Sequence, residues 1–218
     1  MKTRAIFLGS FNPPHHGHVN CIKSVINSGV LNELNIDKIH IIPCYQNPNK
    51  SQTKDPDLNF WQRYKLCTLE FSGLSEFVII DDIEMLINKT DCNKSYTYNL
   101  INYFKNGHDQ IIKFNFWWII TTETYKELLD GKWYHSEDLL SNNKFIIVYN
   151  DPKDLDFIIN SKYYKFDNYK FVELIKTEDS DIHSTQIREM IKNDDENVRK
   201  YIKLETWIEI KDKKMYKE

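Results

Sequence analysis

The sequence predicts an α/β fold in which a parallel sheet is wound on both sides by helices and the chain ends in a helical C-terminal part. Short apolar runs of strand length alternate with segments whose apolar residues recur every three or four positions. That alternation is the pattern of βαβ units stacking into a parallel sheet. Beyond about residue 184 no strand-like run recurs, and the chain becomes helical in period and rich in Lys. At 218 residues the chain is expected to be a single domain, with 184–218 as a helical subregion.

In chain order, Arg4 to Leu8 is an apolar run stopped by Gly9, a buried first strand. Residues 9–17 hold two glycines and two prolines and must form a loop. Val19, Ile22, Val25 and Ile26 then recur at helical spacing, predicting a helix over 18–30. Lys38 to Pro43 is a second strand, Phe60 to Phe71 a helix and Phe77 to Ile80 a third strand. A helix over Tyr96 to Phe104 precedes the aromatic run Phe114 to Ile120, expected as a fourth core strand. Helices near 124–130 and 136–141 and a strand from Phe145 to Tyr149 follow. Residues 150–169 are polar without a clear period and are expected to form a surface connection before a last strand at Phe171 to Ile175.

Composition excludes several classes. A hydrophobic fraction of 41% is ample for a packed core, and a net charge of -3 argues against a broad basic face for nucleic acid. Cys21, Cys44, Cys67 and Cys92 are widely spaced with no CxxC pair, so reduced thiols are expected rather than a disulfide framework or zinc site. Met1 to Leu8 is too short for a signal peptide, and no apolar run approaches the ~20 residues of a membrane span. The expectation is a soluble, cytoplasmic protein with no nucleic-acid or membrane partner. Oligomeric state is not readable, and a homo-oligomer stays open.

In parallel sheets ligands sit beyond the carboxyl ends of the strands, which directs attention to the loop after the first strand. It reads Gly9-Ser10-Phe11-Asn12-Pro13-Pro14-His15-His16-Gly17-His18. Prolines before a helix start, a glycine that permits close backbone approach and open helix-N-terminal amides together favour an anion. His15 and His18 add directed donors. Three histidines in four residues also read as metal ligands, but no acidic or cysteine partner lies at ligand spacing, so phosphate contact is the better reading and no protein-held metal site is expected.

This segment resembles the GxFxPxHxGH signature of the nucleotidyltransferase superfamily, and is most similar to nicotinate- or nicotinamide-mononucleotide adenylyltransferases. The resemblance implies a Rossmann-like fold and a second motif near the C-terminus. Ile182-His183-Ser184-Thr185-Gln186-Ile187-Arg188 is similar to the family's ISSTxIR, with His183 in place of a serine. Ser184 or Thr185 can cap a helix there while Arg188 lies one turn on. Pro43 to Lys50 is similar to PxxxPPHK, with Asn49 replacing its His. Gln62-Arg63-Tyr64 resembles the QR-bearing helix, where Arg63 reads as structural. Asp82-Ile83-Glu84 and Ser95-Tyr96-Thr97 resemble the DxE…SYT segment of the pyridine pocket, and Trp133 falls where the family carries a stacking tryptophan. The family's GxD place reads Thr121-Thr122-Glu123, without the glycine and with Glu123 at the acid position.

The resemblance implies an adenylyltransferase joining ATP to nicotinate mononucleotide, or to nicotinamide mononucleotide, with release of pyrophosphate, a step of NAD biosynthesis. The bacterial-type SYT and PxxxPPHK segments tilt the expectation to the nicotinate form. His15, His18, Lys50 and Arg188 are expected to be catalytic. Gly9, Ser10, Phe11, His18, Ile182, Ser184, Thr185, Arg188 and Glu123 are expected to hold ATP. Asn12, His15, Lys50, Tyr96, Thr97 and Trp133 are expected at the mononucleotide. Mg²⁺ is expected as a cofactor held mainly by substrate phosphates. The rivals are a phosphopantetheine or cytidylyl transferase of the same superfamily and a non-catalytic nucleotide-binding regulator.

Overall fold

A computed structural model of the chain describes residues 3–45, 58–91, 96–106, 115–175 and 182–217. Six parallel strands form one sheet: β1 (Thr3–Gly9), β2 (Ile36–Pro43), β3 (Val78–Ile80), β4 (Asn115–Thr121), β5 (Phe145–Tyr149) and β6 (Tyr169–Glu173). Their order is β3-β2-β1-β4-β5-β6, so the chain winds outward from β1 in one direction and then restarts on its other side with β4. Phe7 pairs with Ile41 on β2 and with Ile119 on β4. The carboxyl ends of β1 and β4 thus flank the switch in strand order, where an open α/β sheet leaves a crevice.

Strand residues alternate between two buried faces. One face, with Phe7, Ile41, Ile119 and Val148, is covered by Ile22 and Val25 of helix α1 (His16–Asn27). Phe71, at the end of α3 (Phe60–Glu70), packs into the same cluster; the short α2 (Val30–Glu33) lies between. The other face carries Ile6, Ile42, Trp118 and Ile147, against Leu100 and Phe104 of α5 (Thr97–Asn106) and Tyr125 and Leu128 of α6 (Thr122–Leu129). Burying both faces explains why these strands read as continuous apolar runs. A third cluster joins Leu58 and Leu66 to Ile187 and Ile191 of α9 (Ser184–Lys192) and to Trp207 and Ile210 of α10 (Leu204–Asp212). The helical C-terminal stretch therefore packs on α3, beside the opening of β1.

Most expected elements stand where the sequence places them, with three differences. Helix α4 (Ile83–Asp91) was not anticipated: it is short and opens on the Asp81 side chain, whose Oδ1 accepts the Ile83 N–H at 2.9 Å. α7 (Ser136–Asn142) matches, but residues 150–169 are no mere surface connection. They contain α8 (Asp156–Ile159), whose Ile158 is fully buried, and Tyr169 already begins β6. A single buried residue per turn leaves no readable period. Cys21, Cys44 and Cys67 form no disulfide among the described residues, and Cys92 lies outside them. No helix among the described residues is long and apolar enough to cross a membrane.

Candidate active site

A cleft of about 1120 Å³ opens at the carboxyl ends of β1 and β4, large enough for two nucleotide substrates side by side. At one end stand Gly9, Ser10, His15, Gly17 and His18, with His183 near the two imidazoles. At the other stand Tyr96, Thr97, Trp133 and Tyr134. Thr121, Thr122 and Glu123, at the start of α6, also line the cleft.

The loop is shaped by its aromatic residue. Phe11 holds a left-handed backbone (φ 47°), costly for a bulky side chain. Its ring is locked between Phe7 and Phe71, at centroid distances of 5.7 and 6.1 Å, and meets the His18 ring at 5.0 Å. Gly9 fits this arrangement because a Cβ there would lie 2.9 Å from the Phe11 ring. Phe11 thus forms a floor of the loop and is not among the residues that line the cleft.

Behind the loop, Arg63 is 6% exposed and reaches four carbonyls. Its Nη1 donates to Ser10 O at 2.7 Å, its Nη2 to Cys44 O and, at 3.1 Å, to Tyr45 O, and its Nε to Leu58 O at 3.2 Å. The guanidinium ties the exits of β1 and β2 together, the structural role the sequence implied.

The C-terminal motif docks on the same loop. Ser184 Oγ donates to Pro13 O at 2.9 Å, and Arg188 Nη1 donates to Asn12 O at 2.8 Å while Nη2 reaches Thr185 Oγ1 at 3.2 Å. Arg188 is 7% exposed, its guanidinium stands behind the loop, and it is not among the residues that line the cleft. Ser184 and Thr185 likewise do not line it, and the residue at the N-cap of α9 is His183, whose N–H donates to Gln186 Oε1 at 2.9 Å. Asn12 Oδ1 accepts the Tyr216 hydroxyl at 2.7 Å, and Asn12 is not among the residues that line the cleft. Lys50 lies outside the described residues.

Electrostatically the cleft is unusual for a polyphosphate site. Among the described residues that line it, Lys132 is the one Lys or Arg. Positive potential at the histidine end comes instead from the N-termini of α1 and α9 and from imidazole N–H donors. The tautomers follow from the backbone. His15 Nδ1 accepts the Gly17 N–H at 3.1 Å and His18 Nδ1 accepts the His15 N–H at 3.3 Å, leaving Nε2–H on each ring as the free donor edge. The rings lie 3.9 Å apart. Burial drives His18 down to about 4, with the nearby His183 imidazole pushing the same way. Burial, then the His18 and His183 rings, hold His15 well below the usual imidazole range. Both rings are neutral donors near pH 7.

These shifts carry a pH signature. His18 binds protons more weakly folded than unfolded, so stability is fully present above the unfolded pKa near 6.5 and is lost as pH falls towards 4. Unfolding free energies from urea titrations at pH 7 and pH 5 should differ by about 1–2 kcal/mol from this residue, after discounting for its partial exposure. Glu70, whose carboxyl burial holds above its usual range, acts in the opposite sense. The difference between wild type and His18→Gln therefore isolates the imidazole, and an unchanged difference between the two pH values would refute the assignment.

At the aromatic end, Tyr96 stacks on Tyr134 (4.4 Å, 27°) and Trp133 sits edge-on to the buried Trp118 at 5.9 Å. Ser95 of the SYT string lies outside the described residues. Where the GxD glycine is missing, Thr121 caps α6, its Oγ1 accepting the Thr124 N–H at 3.3 Å, and Glu123 projects from the first turn. The sequence reading did not single out Glu127, Tyr134 or Asn150, all of which line the cleft. They stand outside the family strings, and nothing in their local spacing marks them.

Known proteins share the sequence pattern and the fold. Residues 6–190 match the family model described as Cytidylyltransferase-like. A probable nicotinate-nucleotide adenylyltransferase of Hydrogenobaculum sp. is 32% identical over 189 residues, covering 87% of this chain and 85% of its own. One from Clostridium tetani is 28% identical over the whole of both chains. In fold, the chain superposes on Plasmodium falciparum nicotinic acid mononucleotide adenylyltransferase complexed with NaAD. The TM-score is 0.74 at 21% identity, over 99% of this chain and 98% of that one.

Proposed function

The chain belongs to the cytidylyltransferase-like family and, within it, to the nicotinate-nucleotide adenylyltransferases, and from that premise we propose how its residues divide the reaction. The enzyme is a nucleotidyltransferase that joins ATP to a pyridine mononucleotide in NAD biosynthesis, and nicotinate mononucleotide is its preferred partner. A mononucleotide phosphate oxygen attacks the α-phosphorus of ATP, the bond to the β-phosphate oxygen breaks, and pyrophosphate leaves. The attacking group is already an anion, so positioning and charge neutralisation suffice.

His15 and His18 offer Nε2–H donors to the phosphoryl oxygens as charge shifts onto them, with the positive ends of the α1 and α9 dipoles nearby. Glu123 and the threonines at the α6 N-terminus take the adenosine ribose. Trp133, with Tyr96 and Thr97, receives the pyridine ring. Arg188 and Ser184 serve from behind by fixing the Asn12 and Pro13 carbonyls. Lys50 supplies charge to the mononucleotide phosphate.

Among the described residues no cluster of three His, Cys, Asp or Glu side chains could hold a metal ion, and both Nδ1 atoms of the loop histidines already accept backbone N–H groups. A Mg²⁺ ion fits as one carried in on the triphosphate, with phosphate and water ligands. When bound it supplies further charge neutralisation. Thiols without disulfides suit the cytoplasm.

The observation that carries the reading is the single cleft with imidazole donors and two helix N-termini at one end and stacked aromatics at the other. The test is pyrophosphate release with ATP, Mg²⁺ and each mononucleotide separately, with CTP and phosphopantetheine as control substrates. The expected kcat/KM favours nicotinate over nicotinamide mononucleotide by about tenfold or more, roughly the scale of one discriminating polar contact. No release with either mononucleotide would refute it.

A further inference from the structure

We infer that Glu127 is a positioning residue that sets the orientation and the electron density of the Trp133 indole. The inference rests on the reading that Trp133 receives the pyridine ring. Trp133 Nε1–H donates to Glu127 Oε2 at 3.0 Å, and both residues line the cleft. The rest of the tryptophan is pinned as well. Its N–H donates to Ser136 Oγ at 3.1 Å, the same hydroxyl donates back to the Trp133 carbonyl at 2.7 Å, and the indole meets Trp118 edge-on. The turn between α6 and Trp133 passes through Gly131, in the left-handed region at φ 70°, and the Lys132 N–H closes on the Glu127 carbonyl at 3.0 Å. Glu127 therefore holds both ends of this turn: its backbone fixes the chain and its carboxylate fixes the ring.

A carboxylate is a pointed choice for this task. The pyridine ring of a mononucleotide is a pyridinium and carries a formal positive charge, and an indole face is the best aromatic platform for a cation. A hydrogen bond to an anionic acceptor is stronger than one to a neutral acceptor, and it draws the N–H proton outward, leaving the π face more negative. A glutamine would keep the geometry and lose the charge; an alanine would lose both.

The test is steady-state kinetics of Glu127→Gln, Glu127→Ala, Trp133→Ala, Trp133→Phe and the Glu127→Ala/Trp133→Phe double variant. Glu127→Ala should raise KM for the mononucleotide about tenfold and Glu127→Gln about threefold, with KM for ATP within about twofold of wild type. In the Trp133→Phe background, where no indole N–H exists, Glu127→Ala should add almost nothing. A merely structural role would move both KM values or the melting temperature of Glu127→Gln. If Trp133→Ala leaves the mononucleotide KM unchanged, the reading of the aromatic end fails. If Trp133→Ala raises it while neither Glu127 variant does, or if Glu127→Ala acts equally in both backgrounds, the inference alone is overturned.

Discussion

Replacing His18 with Ala should lower kcat by about 10²–10³, the loss associated with one oriented transition-state donor. The imidazole reaches the cleft in one tautomer because its Nδ1 accepts the His15 N–H. Its Nε2–H therefore needs no reorganisation when charge builds on the transferring phosphoryl group. Since the ring is neutral in the free enzyme, it adds little to ground-state attraction for ATP, so KM for ATP should shift by less than about fivefold. The ring also touches Phe11 and Phe7, but the cost of truncation should be modest, about 1 kcal/mol, because it also relieves the burial of a poorly solvated imidazole. Single-turnover rates with circular dichroism of the same preparation decide the matter. A folded His18→Ala protein with wild-type turnover would remove the histidine loop from the mechanism.

The largest stability effect should come from Arg63→Ala, at about 3–5 kcal/mol, the scale of breaking a buried charged network. Four carbonyls, from Ser10, Cys44, Tyr45 and Leu58, share this guanidinium, and they belong to three separate stretches of chain. Lys cannot rescue, because one ammonium on a flexible stem cannot span three directions that a planar fork serves at once. Both variants should lose several degrees in melting temperature and show a lower urea midpoint with unchanged slope. Activity should fall too, since Ser10 and Cys44 line the cleft. A loss below about 1 kcal/mol would mean that water satisfies those carbonyls.

Reading the sequence against the structure separates two kinds of information. The strand–loop–helix unit around residues 3–27 was legible because its determinants are local: an apolar run, glycine and proline punctuation, and a helical period. Ser184 and Arg188 were recognisable as a pair, but not the direction in which the guanidinium points. That depends on which carbonyl lies within reach, and Asn12 O is 176 residues away in sequence. His183 illustrates the same limit. A substituted residue reads as a departure from the pattern, yet its position among the imidazoles at the cleft emerges only from tertiary contacts. Glu127 and Trp133 stand six residues apart across a helix end and a left-handed glycine, and no periodic rule pairs them. Helix α4 was missed because its start depends on an aspartate side chain rather than on its own apolar spacing.

The supports of the histidine loop have a consequence for the timing of synthesis. The loop leaves the ribosome early, yet Pro13, Asn12 and the Asn12 side chain are braced by Ser184, Arg188 and Tyr216, at separations of 171, 176 and 204 residues. At about 5–20 residues per second, those braces arrive roughly 10–40 s after the loop does. During that interval the nascent sheet carries an unbraced phosphate cradle, and a chain stalled before Ser184 would keep it so.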